Sequence, residues 1–83
     1  MSINYVDYFR QPIGTAVLAH LPPSVRELVS VAFGPYEGSA YRRARITIKR
    51  SGFEIYFMLV RDENGVLFTE IPEDIKLKII ALA

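Results

Sequence analysis

Ala44, Ile46 and Ile48 alternate with Arg43, Arg45, Thr47 and Lys49, and beyond Ser51-Gly52 the residues Ile55, Phe57 and Leu59 alternate with Glu54, Tyr56, Met58 and Val60. A period of two marks a half-buried strand. With Ser51-Gly52 as a two-residue hairpin loop, the alternation predicts strands over about 41–50 and 53–61. Ile48 then faces Ile55, Ile46 faces Phe57 and Ala44 faces Leu59. The opposite face pairs Lys49 with Glu54, Thr47 with Tyr56, Arg45 with Met58 and Arg43 with Val60. A slip of one residue would mix the two faces. Asp62-Glu63-Asn64-Gly65 supplies the next turn. A three-residue loop with Gly65 in the left-handed region sets Thr69 opposite Leu59 and Ile71 opposite Phe57. This predicts a third strand over about 66–71, with Phe68 beside Val60 and Glu70 beside Met58.

The pattern changes on either side of this meander. Val25, Leu28, Val29, Ala32 and Phe33 share one helical face. Ser24 and Glu27 have capping-box spacing, Gly34 suits the residue just past a helix, and Pro35 stops it. These signals predict a helix over 25–33. At the other end, Pro72, Glu73 and Asp74 suit a helix start, and Ile75, Ile79 and Leu82 form a stripe. They predict a helix over about 72–82. A short helix is expected at 3–10, whereas Thr15–Leu21 fits helix and buried strand equally. The sum is an α+β domain covering 1–83: a helical N-terminal half, a three-stranded antiparallel β-meander and a C-terminal helix.

Composition narrows the chemistry. Eighty-three residues leave room for one core, and 51% hydrophobic residues is high for so small a chain. Some apolar surface is therefore expected to be covered by a partner or a second copy. The absence of cysteine removes disulfides, thiolate metal sites and thiol nucleophiles. The N-terminus lacks the character of a signal peptide, and no apolar run approaches the ~20 residues of a membrane span. A cytoplasmic location without membrane attachment is the expectation.

Enzyme signatures are weak. His20 is the only histidine, so no two-histidine metal site or histidine relay fits within one chain. The "DENG" segment fails as a calcium loop, because Val60 and Ile71 stand where oxygen ligands are needed. Gly34 and Gly38 lack the Lys-Ser/Thr ending of a phosphate loop. Glu70, Glu73 and Asp74 lie where a helix start favours acids. No cofactor, no metal and no catalysis are expected.

Charge is distributed unevenly although the net is only +1. Arg42, Arg43, Arg45, Lys49 and Arg50 form a run without an acid, and six of the nine carboxylates lie between Glu54 and Asp74. On the predicted outer sheet face stand Tyr41, Arg43, Arg45 and Lys49, with Tyr56, Met58 and Val60 beside them and Phe68 beyond. Tyr, Met, Phe and Arg are enriched in protein interfaces. This face is the candidate partner-binding surface, for a protein of unknown identity or a second copy in a homo-oligomer. Nucleic-acid binding is the alternative, with Arg and Lys on phosphates and Tyr41 and Tyr56 stacking on bases. The low net charge and Glu54 beside Lys49 weigh against it. A third reading makes the cations guards of an edge strand against aggregation.

Overall fold

The computed structural model describes residues 6–7, 12–37, 41–60, 63–64 and 68–83. It is an α+β structure built on one antiparallel sheet. In chain order the elements are β1 (Val6–Asp7), α1 (Pro12–Leu18), α2 (Pro23–Arg26), β2 (Val29–Glu37), β3 (Tyr41–Ile48), β4 (Glu54–Val60) and α3 (Glu73–Leu82). The strands lie in the order β1-β2-β3-β4, a meander in which each strand pairs with its chain neighbour. Helices α1 and α2 pack on β2, and α3 packs on β3 and β4.

One face of the sheet carries the core. Val29, Val31 and Phe33 of β2, Ala44, Ile46 and Ile48 of β3, and Ile55, Phe57 and Leu59 of β4 are buried together. Val17, Leu18 and Leu21 at the end of α1, Val25 of α2, and Ile71 and Ile79 around α3 close over them. Burial along β4 alternates without exception from Glu54 to Val60, as the period of two requires.

The β3–β4 hairpin keeps its predicted faces but not its predicted register. Ile46 pairs with Ile55, Ala44 with Phe57, Arg45 with Tyr56 and Thr47 with Glu54, a shift of two residues. The Ile48 N–H donates to Phe53 O at 2.8 Å and the Gly52 N–H to Ile48 O at 2.7 Å. The loop therefore spans residues 49–52, with Gly52 at φ 76°, a conformation that favours glycine. A shift of two preserves side-chain parity, which is why the inward set is unchanged.

The predicted helix over 25–33 is corrected. Only Pro23–Arg26 is helical, and β2 starts at Val29. Val29, Val31 and Phe33 satisfy a period of two as well as a helical face, and pairing with β3 on one side and β1 on the other decides between them. The register shifts between Phe33 and Tyr36. Gly34 and Pro35 thus mark a β-bulge, a place where both residue types are tolerated in a strand. Ser24 lies inside α2 and Pro22 is its N-cap, so no capping box forms.

Other predictions resolve similarly. Val6 and Asp7, expected in a helix over 3–10, pair with Phe33 and Ala32 as a strand; the rest of that span lies outside the described residues. The ambiguous run before Leu21 is helical through Leu18. Over its described residues 68–71 the predicted third strand is not a strand. Its one ladder-like bond runs from the Phe68 N–H to Val60 O at 2.9 Å. Ile71 is drawn into the core instead, which takes the chain off the sheet edge. The C-terminal helix forms over Glu73–Leu82, with Pro72 as N-cap rather than first helical residue and Glu73 and Asp74 in the first turn.

Candidate functional site

The three described helices cover the inner face, so among the described residues no helix packs on the outer face of β3 and β4. Cross-strand pairing sets Arg43 beside Met58, Arg45 beside Tyr56 and the Tyr41 backbone beside Val60. Tyr56 is 47% exposed, Met58 44%, Val60 53% and Phe68 53%. Phe68 reaches this edge through its bond to Val60. The structure therefore brings together Arg43, Arg45, Tyr56, Met58, Val60 and Phe68. The Tyr41 side chain lies outside the described residues.

Lys49 does not join them. It sits in the β3–β4 turn, where its N–H donates to Leu28 O at 3.0 Å and its Nζ to Glu27 O at 3.3 Å. Glu54, expected opposite Lys49, faces Thr47. Its Oε2 lies 3.6 Å from Arg45 Nε, and its Oε1 accepts from the Tyr56 hydroxyl at 3.2 Å. The other two cations of the basic run, which parity sets on the opposite side, are not on this face either. Arg42 shares the inward parity of Ala44; its Nε donates to Gly34 O at 2.7 Å and its guanidinium lies 5.4 Å from the centre of the Phe33 ring. Arg50 is exposed in the turn. Of the five basic residues between Arg42 and Arg50, only Arg43 and Arg45 belong to the outer face.

Among the described residues no group of three or more His, Cys, Asp and Glu is placed to hold a metal ion. His20 Nε2 lies 3.5 Å from Thr69 Oγ1, at the outer limit of a hydrogen bond. No helix of the described residues is long and apolar enough to cross a membrane.

One residue of consequence has no marker in the sequence. Arg26 reaches back from α2 to the end of α1, where Nε donates to Leu18 O at 3.0 Å and Leu21 O at 2.9 Å, and Nη2 to Ala19 O at 3.1 Å. It borders a cleft of about 450 Å³ lined by Thr15, Leu18, Ala19, Arg26, Glu27 and Lys49. The turn that brings Lys49 beside Glu27 is a tertiary contact, so nothing in the local pattern announces it. No protein-family model, no curated protein and no solved structure matches this chain.

Proposed function

We propose that this chain is a small non-catalytic binding domain of the cytoplasm that acts by docking on protein through the outer face of β3 and β4, and that it self-associates there. The observation that carries this reading is the exposure of Tyr56, Met58, Val60 and Phe68 as neighbours on the uncovered side of the sheet. Contiguous apolar surface rimmed by polar groups is a mark of interaction sites, and Arg43 and Arg45 beside it belong to the residue types that anchor interfaces. A two-fold contact would bury the same patch on both copies. Regulator, adaptor and inhibitor are the roles that fit such a domain.

Nucleic-acid binding is the weaker reading, because only two cations of the run stand on this face and one of them, Arg45, is engaged with Glu54. Sedimentation velocity over a micromolar concentration series tests the preferred reading. The native chain is expected to sediment faster as concentration rises. Phe68→Glu or Met58→Glu should return it to monomer, a loss of about 2 kcal/mol or more for a central interface residue. A native chain that stays monomeric at high micromolar concentration overturns self-association. A salt-sensitive gel shift with DNA or RNA that disappears in Arg43→Ala/Arg45→Ala would favour the alternative.

A further inference from the structure

The cleft beside α1 lies apart from the open sheet face and shares only Lys49 with the surface anticipated from the sequence. Its volume of about 450 Å³ falls in the range of small-molecule sites. Leu18 and Ala19 give it an apolar side, and Thr15, Arg26, Glu27 and Lys49 supply polar groups.

Two cations border this recess, and among the described residues neither has a carboxylate partner. The hydrogen bonds of Arg26 go to the carbonyls of Leu18, Ala19 and Leu21, and the Nζ of Lys49 goes to the carbonyl of Glu27. Every acceptor is neutral. Among the described residues neither cation has an acid within ion-pair distance, although Glu27 shares the lining. The carbonyls occupy Nε and Nη2 of Arg26 and leave Nη1 without a protein acceptor among the described residues. A guanidinium held in place by three bonds is pre-organised, so little is lost in ordering it around a ligand. Two cations against one carboxylate on the lining leave the recess with a net positive charge.

We propose that this cleft binds a small organic monocarboxylate with a short apolar body. The carboxylate takes charge-assisted bonds from Arg26 Nη1 and Lys49 Nζ, and the apolar body covers Leu18 and Ala19. Glu27 on the same lining repels multiply charged anions such as phosphates, so a single negative charge suits the site best. The assignment is independent of what docks on the sheet.

A ¹H–¹⁵N NMR titration of the full chain with sodium hexanoate tests it, with hexylamine as the size-matched cation. Hexanoate is expected to produce saturable shifts at Thr15, Ala19, Arg26 and Lys49, and hexylamine none. Lys49→Gln should weaken binding about tenfold, as expected for one charge-assisted bond. Ala19→Phe, placed on an exposed position of the cleft wall, should abolish it by filling the space. The amide dispersion of each variant shows in the same spectra that it is folded. The absence of saturable shifts with hexanoate, an equal response to hexylamine, or unchanged affinity in Lys49→Gln overturns the proposal.

Discussion

Arg26 sits in a helix of one turn and caps the carbonyl end of another. The last carbonyls of a helix have no partner within it, and α1 meets this partly through the Leu21 N–H, which donates to Leu18 O at 3.0 Å. The Arg26 fork adds a second donor to Leu18 O, ties down the Ala19 and Leu21 carbonyls just beyond the helix, and places positive charge at the negative end of the helix. Arg26→Ala is expected to cost about 1–2 kcal/mol in urea unfolding, less than the sum of its bonds because the side chain is only half-buried. Arg26→Lys should recover little of this, since a point charge cannot serve three divergent acceptors. An Arg26→Ala variant as stable as the native chain would discount the clamp. Gly52 makes a different kind of contribution. A Cβ there meets nothing within 4 Å, yet φ is +76°. Gly52→Ala should therefore cost about 1 kcal/mol through backbone strain alone, with no change in packing around the turn.

At the scale of elements, the hairpin register is open to a direct test. The Ile48 N–H donates across the strands to Phe53 O, so the next pair, Thr47 and Glu54, falls at a non-hydrogen-bonded position, where facing side chains are closest. With no native cysteine to interfere, Thr47→Cys/Glu54→Cys is expected to close a disulfide on mild oxidation. Thr47→Cys/Tyr56→Cys, which the two-residue loop would have paired, should close poorly. The reverse outcome, read by mass spectrometry, would restore the tighter turn. The two faces of the same hairpin should also respond differently to truncation. Ile46→Ala removes a fully buried side chain and should cost about 2–5 kcal/mol. Met58→Ala on the outer face should stay within about 0.5 kcal/mol in the monomer.

For the whole molecule, the consequence is asymmetry. Three helices on one side bury the inner residues of β2, β3 and β4, and on the other side the β4 residues Tyr56, Met58 and Val60 stay exposed. A chain this short gains little margin from a single core, so apolar area left on the open face is area a partner could still remove from water. If a second copy covers it, folding and association are linked, and Tm should rise with protein concentration. Scanning calorimetry over a hundredfold range of concentration checks this, and a constant Tm would argue for a monomer whose open face serves another protein.

Chain order of the strands 41–60, the C-terminal helix and the inward residues were readable from the sequence, because side-chain parity survives a register error of two. Parity likewise put Arg43, Arg45, Tyr56, Met58 and Val60 on one face. Residues 29–33 were not readable, since Val29, Val31 and Phe33 satisfy both periods and Gly34-Pro35 punctuates a helix end and a bulge alike. Only lateral pairing with β1 and β3 decides that they extend. The cleft is of the same kind: Arg26 and Lys49 are ordinary surface cations until the hairpin turn docks against the α2–β2 corner. What the sequence determined by itself is which side chains must share a face, a local consequence of backbone geometry. What the tertiary structure decided is which segments become neighbours, because that depends on hydrogen bonds and burial between residues far apart in the chain.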